Sequence, residues 1–264
     1  MKIIREFQRK NIKNDLISIS PHNLRLFEYF IIQRKKKYNF ITSDELYLNK
    51  KTNKRILIRH DIDYFPEKIK SMVNLELKYK IKSDIHVMVD EVNYDIKKYV
   101  KFLKSLSENG FLIALHSNVM SYDNKINQFE SEIIKFNELI GFYPKTFSLH
   151  GKIIKYKNYI DIKNDFLNKC RPVMKKYNVL GSHNICGIDH WIEDSLRGGE
   201  FSYLTEDFFS KNLPNNKVLG VLLHPDHWVK NKIHEKHLAE ISKVTKNRLI
   251  HNEHIFLEKI LKND

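Results

Sequence analysis

The 264-residue chain is poor in the residues that punctuate or cross-link a protein, with 8 glycines, 6 prolines and 2 cysteines. Two cysteines cannot build a disulfide framework, and no stretch rich in glycine, proline or serine marks a linker between domains. The length suits one large α/β domain with a substantial core. We therefore expect a single catalytic domain, with residues 1–54 as a helical lead-in, 55–228 as the core and 229–264 as a helical tail.

Long apolar runs are also missing. Charge returns within residues 1–7, too early for the apolar segment of a secretory signal peptide, and no stretch has the length of a membrane span. These absences predict a cytoplasmic protein. They leave peripheral association with a membrane open.

Acidic residues are outnumbered, 32 against 46 lysines and arginines, which gives a formal net charge of +14. Such a charge can attract a nucleotide sugar, a lipid-linked phosphate, a membrane surface or a nucleic acid. The lysines are spread over the whole chain, however, and the short basic runs at 34–37 and 50–51 are not interleaved with aromatic residues. We interpret the charge mainly as a solvated surface and expect no nucleic-acid partner.

The chain does have a regular alternation of short apolar runs and amphipathic stretches. The apolar runs predict strands near residues 56–58, 85–89, 111–115, 146–149, 179–180 and 218–223. The amphipathic stretches predict helices near residues 21–32, 66–79, 95–107, 124–140 and 162–177. Irregular chain is expected from the end of the strand at 179–180 to about residue 216. A helical tail is expected from residue 234. Alternation of this kind is typical of a parallel α/β sheet or barrel.

Ionisable residues follow the predicted strands at their carboxyl ends. The first strand leads into Asp61 and Asp63, and three later strands lead into His116, His150 and His224. Because parallel strands bring their carboxyl ends to one face, these side chains should meet in one site. Aspartate and histidine with an open position are the ligands of catalytic zinc and related divalent ions. A free aspartate could then take a proton from water, and a histidine could protonate the leaving group.

These segments, in this order, resemble the motifs of the polysaccharide deacetylase superfamily of the NodB-homology type. The matching segments are 38–40, 59–63, 110–117, 147–150 and 222–225, so the resemblance covers roughly residues 23–228. It implies an α/β fold, a distorted (β/α) barrel with about seven strands. It also implies a carbohydrate deacetylase that depends on a divalent metal.

The resemblance implies roles for single residues. In the family's Asp-x-Asp motif the first aspartate is the catalytic base and the second a metal ligand, which implies Asp61 as base and Asp63 as ligand. His116 matches the first metal-binding histidine of the second motif. His224 matches the general acid of the last motif.

One position departs from the family's pattern. The second motif usually reads His-Ser-x-x-His, with both histidines on the metal, and here Met120 stands at the second of them. A thioether is too soft for a hydrolytic metal site to rely on. Asn118 could offer its amide oxygen, His150 could become the third ligand, or the metal could be weakly held or absent. We favour His150, because its strand end should face the same centre.

Three further residues are assigned to contact with the substrate or to orientation of the catalytic groups. Asp194 lies where the family has a loop containing an orienting aspartate. Arg59 could orient Asp61 through a charge-assisted hydrogen bond, or it could form a structural ion pair. Trp228 could stack on a sugar ring, or it could close the core.

These observations predict a divalent-metal hydrolase, with zinc as the expected ion, that removes an acetyl or formyl group from the nitrogen of an amino sugar. The expected setting is biosynthesis of a surface polysaccharide, on a nucleotide-linked or lipid-linked sugar or glycan. Met120 motivates an alternative, a catalytically weak or metal-free sugar-binding protein. A third hypothesis is a basic protein whose helical tail binds an anionic membrane or nucleic acid.

Overall fold

The computed structural model of the protein describes residues 24–48, 54–90, 93–150, 159–182, 187–194 and 217–228. The start of the predicted first helix, most of the predicted irregular stretch and the predicted helical tail lie outside these residues. In the part of the chain that is described, no helix combines the length and apolar character that a membrane crossing requires.

Strands and helices alternate along the chain, as predicted. The strands are β1 (Asn39–Phe40), β2 (Arg55–Ile62), β3 (Asp84–Val87), β4 (Leu112–Ser117), β5 (Thr146–Leu149), β6 (Gly181–Ser182), β7 (His190–Glu193) and β8 (Val218–Leu223). The α-helices are α1 (Leu24–Lys35), α2 (Ser43–Leu48), α3 (Ile69–Lys78), α4 (Val100–Glu108), α5 (Lys125–Ile140), α6 (Tyr159–Lys169) and α7 (Arg171–Lys176). Short 3-10 turns at Pro66–Lys68 and Ile96–Tyr99 lead into α3 and α4.

All strand pairs are parallel and form one sheet in the order β6-β5-β4-β3-β2-β8-β7, with β1 paired to the start of β2. The sheet curls, and within the described residues no pairing joins β6 to β7, so the barrel is open there. This is the distorted barrel of β/α units that the sequence predicts. Its strands all end on one side, which is where the predicted site residues lie.

Strand β2 is an interior strand of the sheet, because it pairs with β3 over its second half and with β8 over most of its length. Its run Ile56-Leu57-Ile58 is fully buried, as expected of a parallel strand that is covered on both faces. Beyond that run the side chains alternate. His60 points to the helices, where its Nε2 lies 2.9 Å from Glu76 Oε1 in α3, while Arg59 and Asp61 share the opposite, inner face.

Helix α5 shows how the sequence positions the outer layer. Asn124 caps its first turn by accepting a hydrogen bond from the backbone N–H of Asn127, and Gly141 ends it with a positive φ of 92°. Its buried face repeats at helical spacing and consists of Phe129, Ile133, Phe136 and Ile140. Phe129 packs on Phe147 of β5 with ring centroids 4.6 Å apart, which fixes the helix against the sheet.

Two predicted elements near the sixth strand need correction. The helix predicted over 162–177 is two helices, α6 and α7, because Pro172 stands in the first turn of the second and cannot continue the first. The strand predicted at 179–180 lies at Gly181–Ser182 instead. Glycine is needed there, because a Cβ on Gly181 would lie 2.0 Å from the hydroxyl oxygen of Tyr47, which donates a hydrogen bond to the carbonyl of Ser182.

The prediction of irregular chain before residue 216 is wrong at residues 190–193, which form β7 beside β8. This strand is four residues long and begins and ends with polar residues, so it gives no clear apolar run. The neighbouring strand β8 explains why β7 pairs at this place. Trp191 lies opposite Gly220, and a Cβ on that glycine would lie 2.6 Å from the indole ring.

A buried carboxyl group in α5 makes the stability of the fold depend on pH. Burial raises the pKa of Glu132 to about 7, although the Ser117 hydroxyl, which donates to the carboxyl at 2.6 Å, acts in the opposite direction. The folded chain therefore holds a proton that the unfolded chain releases near pH 4.5. This contribution to stability is complete below that pH and is lost as the pH rises through about 7, by roughly 3 kcal/mol.

We predict that Glu132→Gln removes this contribution, because a neutral amide has no proton to release. Free energies of unfolding from urea titrations between pH 5 and 8 should show that the difference between variant and wild type shifts in favour of the variant as the pH rises. Glu138→Gln, on the exposed side of the same helix, is the control and should leave the pH profile unchanged. Parallel profiles for wild type and Glu132→Gln would contradict the prediction.

Candidate metal centre and active site

The carboxyl ends of four strands deliver five ionisable side chains to one site. Asp61 lies in β2 and Asp63 directly after it, His116 lies in β4, and His150 and His224 directly follow β5 and β8. Asp63 is their common neighbour, within 3.1 Å of His116, 3.4 Å of His150 and 3.8 Å of His224. Asp61 approaches the cluster through His116, at 3.6 Å. The structure thus brings together all five residues that sequence reasoning placed in the site.

Three of these residues form a triangle of metal-ligand atoms: Asp63 Oδ1, His116 Nε2 and His150 Nδ1. The edges of the triangle are 3.1, 3.2 and 3.4 Å. Ligands held at about 2.0–2.1 Å from a tetrahedral ion lie about 3.3 Å apart, so the spacing fits a small divalent ion. Asp63 Oδ1 is buried and accepts no hydrogen bond of good geometry, which also suits an oxygen intended for a cation.

The structure favours His150 over the other candidates for third ligand. The amide group of Asn118 is already used, since its Nδ2 donates to Asp90 at 2.6 Å and its Oδ1 accepts from the Ser121 hydroxyl at 2.8 Å. Met120 is buried among the core residues. His150 is held in place by its own backbone N–H, which donates to the carbonyl of Ser117 at the end of β4.

Asp61 is a buried carboxylate with a dedicated cation. Arg59 donates to it through two nitrogens, from Nε to Oδ1 at 2.6 Å and from Nη2 to Oδ2. Burial alone would raise the pKa of Asp61, but the charges of Arg59 and His116 lower it below its usual range. The carboxylate therefore stays ionised, as a general base requires.

Asp63 is ionised for a related reason. Burial opposes its charge, but the nearby His150 and His116 hold the pKa of this carboxyl well below its usual range. Both aspartates are thus available as anions in a site from which bulk water is largely excluded.

His224 carries the opposite charge. Its Nδ1 lies 2.5 Å from Asp194 Oδ1, and its backbone N–H donates to Asp194 Oδ2 at 2.7 Å. Burial alone would lower the pKa of His224, but the carboxylate of Asp194 raises it well above the usual range. With Nδ1 bound to Asp194, the Nε2–H of the cation faces Asp63 and the site.

The three residues that sequence reasoning assigned to substrate contact or to orientation of the catalytic groups lie beneath the site. Arg59, Asp194 and Trp228 are 5%, 0% and 4% exposed. Trp228 donates from Nε1 to Asp194 at 2.8 Å and packs edge-on against Phe27, so the structure favours the core alternative over sugar stacking. Arg59 and Asp194 hold Asp61 and His224 in place. The sequence shows the types of these residues but not that their side chains are buried beneath the site.

Sequence reasoning missed two residues beneath the candidate ligand set, Ser148, which contacts it, and His86, which contacts Ser148. Ser148 Oγ in β5 lies 2.7 Å from His116 Nδ1 and 2.8 Å from the Nδ1 of His86 in β3. A signal was present, since both are polar residues inside otherwise apolar strands. Each also lies two positions after another polar residue, Asp84 in one strand and Thr146 in the other.

Comparisons with known proteins find similarity to solved structures. No family model and no curated protein matches the chain. Among solved structures, the Bc1960 peptidoglycan N-acetylglucosamine deacetylase is 14% identical, with 89% of each chain covered and a TM-score of 0.44. The peptidoglycan deacetylase PdaC from Bacillus subtilis is 10% identical, covering 81% of this chain and 95% of its own, with a TM-score of 0.43.

A pseudoenzyme of the CE4 family from Bacillus anthracis is also similar, at 10% identity, 73% of this chain, 61% of its own and a TM-score of 0.44. These neighbours are polysaccharide deacetylases or a pseudoenzyme of that kind, the superfamily that the sequence motifs resemble. At such low identities and scores the likeness carries no argument about the reaction, so the chemistry has to be argued from the site.

We predict that His150, and not Met120, contributes to metal binding. His150→Ala removes one corner of the ligand triangle and should reduce zinc binding strongly, as should Asp63→Ala, whereas Met120→Leu keeps the triangle and should bind zinc as wild type does. Metal content after dialysis against zinc, measured by atomic emission, provides the check. Full zinc content in His150→Ala would remove this residue from the ligand set.

We further predict that the charge of Asp194 keeps His224 protonated. Asp194→Asn removes the carboxylate while burial remains, so the pKa of His224 should fall below its wild-type value. Histidine ring signals followed by NMR against pH report it directly. Trp228→Phe is the matched control, because it removes one hydrogen bond to Asp194 but leaves its charge, and it should keep the elevated pKa. An unchanged pKa in Asp194→Asn would contradict this account of the pair.

Proposed function

We propose that the protein is a divalent-metal hydrolase that removes an acetyl or formyl group from the nitrogen of an amino sugar. The observation that carries the proposal is the presence of three distinct functions in one site. Asp63, His116 and His150 offer a ligand triangle. Asp61 beside His116 is an ionised base, and His224 beside Asp63 is a protonated acid.

A divalent ion held by the triangle, with zinc as the best match to aspartate and histidine ligands, would polarise the acyl carbonyl and lower the pKa of water. Asp61 accepts a proton from the attacking water, and the bidentate contact with Arg59 fixes the orientation of its carboxylate. The new C–O bond forms at the acyl carbon. A general base of this kind contributes about 10²–10⁴-fold to the rate.

His224 completes the reaction at the leaving group. An amine leaves readily only when it is protonated, and the Nε2–H of His224 can deliver that proton as the C–N bond breaks. Asp194 stabilises the imidazolium before the transfer and fixes which nitrogen faces the site. The products are a carboxylate and a free amino sugar, and the proton held by Asp61 restores His224 or leaves to solvent.

The substrate class rests on the motif resemblance, and the proposed setting is biosynthesis of a surface polysaccharide in the cytoplasm. A nucleotide-linked or lipid-linked amino sugar is the proposed partner, and the net charge of +14 is compatible with such an anionic carrier. A lipid-linked substrate would bring the protein to a membrane surface.

A second candidate function is a sugar-binding protein with little or no catalysis, which Met120 at the usual ligand position favours. The two candidates differ in one measurement. The hydrolase releases acetate or formate, whereas the binding protein takes up a sugar and releases neither.

We predict that zinc-loaded protein releases acetate or formate from N-acylated nucleotide sugars or amino-sugar oligomers, and that Asp61→Asn lowers the rate by about 10²–10⁴-fold while keeping its zinc. Enzymatic detection of the released acid gives the rate. Asp161→Asn, an exposed aspartate on α6, is the control and should match wild type. Equal rates for Asp61→Asn and wild type would remove Asp61 as the base, and zinc-loaded wild type that releases no acid from any of these sugars would favour the binding protein.

A further inference from the structure

A chain of buried polar groups runs from His116 into the interior of the sheet. Ser148 lies between His116 and His86, with its hydroxyl oxygen 2.7 and 2.8 Å from the two Nδ1 atoms. His86 Nε2 in turn faces Asp84 Oδ2 at 3.9 Å, which is too far for a direct hydrogen bond but close enough for the carboxylate charge to act on the ring. Each of these side chains is at most 2% exposed. Four polar groups in such a place are costly unless they satisfy one another.

The strand register explains how residues two strands apart come to meet. His116 of β4 lies opposite Ser148 of β5, and His86 of β3 lies opposite Ala114 of β4. Ala114 is two residues before His116 and shares its face of the sheet. Its side chain is a single methyl group, so it leaves the space through which His86 reaches across β4 to Ser148.

Asp84, at the far end of this row of polar groups, is held in place as well. The backbone N–H of Ser43, at the start of α2, donates to both oxygens of Asp84 at 3.1 and 3.2 Å. The Ser43 hydroxyl lies 2.9 Å from the hydroxyl of Thr146, two residues before Ser148. The carboxylate therefore has a fixed position and orientation relative to β3 and β5.

We propose that Asp84, His86 and Ser148 form a positioning relay that sets the tautomer and the ring orientation of His116 for metal binding. The inference rests on the proposed function, because it takes His116 Nε2 as a ligand atom. A ligating Nε2 carries no proton, so the proton of the neutral ring is on Nδ1, which donates to Ser148 Oγ. None of the three relay residues was selected from the sequence as a site residue.

The remaining protons then have only one consistent arrangement. The hydroxyl of Ser148 has a single hydrogen and donates it to His86 Nδ1, which must accept. The proton of His86 is therefore on Nε2, where it faces the carboxylate of Asp84. Each of the two hydrogen bonds has one donor and one acceptor, and the carboxylate of Asp84 acts on His86 through its charge. Such partners of a metal-binding histidine make the ligand more basic and fix its orientation.

The test is zinc affinity, measured at fixed pH by competition with a chromophoric chelator. Ser148→Ala removes the acceptor for His116 and should weaken zinc binding about 10–100-fold. His86→Leu should weaken it in the same direction, whereas His86→Asn can place an oxygen near the position of Nδ1 and should recover part of the affinity. The ¹⁵N spectrum of the histidine rings adds a second readout: in zinc-loaded wild type the Nδ1 of His116 carries a proton in a strong hydrogen bond, and this signal should change in Ser148→Ala.

Ser83→Ala is the matched control. Ser83 is also buried and donates to a carboxylate, Glu76 Oε2 at 2.9 Å, but that contact lies on the outer face with His60. It should bind zinc as wild type does, and thermal unfolding of the metal-free variants shows whether each one folds. Equal losses of affinity in Ser83→Ala and Ser148→Ala would overturn the relay in favour of a general loosening of the fold.

The experiments distinguish a failure of the proposed relay from a failure of the proposed metal centre. Wild type that binds no zinc would overturn the metal centre of the proposed function. Wild type that binds zinc, together with Ser148→Ala and His86→Leu variants that keep its affinity and its His116 signal, would overturn the relay and leave the metal centre in place.

Discussion

Two carboxylates two residues apart on one strand, Asp61 and Asp63, are the constraint around which the site is arranged. Both are buried, and like charges so close would normally force one of them to take up a proton. The structure avoids this by giving each its own partners, Arg59 for the first and the pair of His116 and His150 for the second. That separation allows the two chemically identical residues to take the different roles proposed for them.

The same rule of dedicated partners applies across the site. His224 is paired with Asp194, and Arg59 with Asp61, each through two hydrogen bonds that fix direction as well as charge. Leaving one member of such a buried pair alone costs about 3–5 kcal/mol, which is comparable with much of the stability of a domain. The partners therefore belong to the fold as well as to the proposed chemistry, and the residues proposed to act on the substrate are held by residues buried beneath them.

Much of the fold and the centre of the site could be predicted from the sequence, for one physical reason. Parallel strands covered on both faces need continuous apolar runs, and the ionisable residues directly after them converge. This convergence predicted that Asp63, His116 and His150, at the ends of three different strands, lie close together. Strand β7 was missed because an edge strand of four residues with polar ends has no such run, and its pairing depends on Trp191 finding the space at Gly220.

The depth at which a side chain is buried was the second property that the sequence could not provide. For Arg59, Asp194 and Trp228 the sequence left substrate contact open beside an orienting or structural role, and only the structure shows that all three lie under the site. His86 and Ser148 were overlooked because the sequence does not show that their strands lie close enough for the two side chains to meet. They meet only through the register of β3, β4 and β5, a contact between strands that no local pattern contains.

The replacement of the usual second histidine by Met120 changes how the ligands depend on the fold. In the family pattern two histidines four residues apart hold the metal, so local chain geometry sets their spacing. Here Asp63, His116 and His150 come from β2, β4 and β5, and their spacing depends on strand register, including the hydrogen bond from His150 N–H to the carbonyl of Ser117. A slip of one residue would turn the side chains of a strand to the other face and remove the ligand triangle. An ion that binds only the folded register adds its binding free energy to the stability of that register. Metal binding at this triangle would therefore be coupled to the packing of the strands themselves.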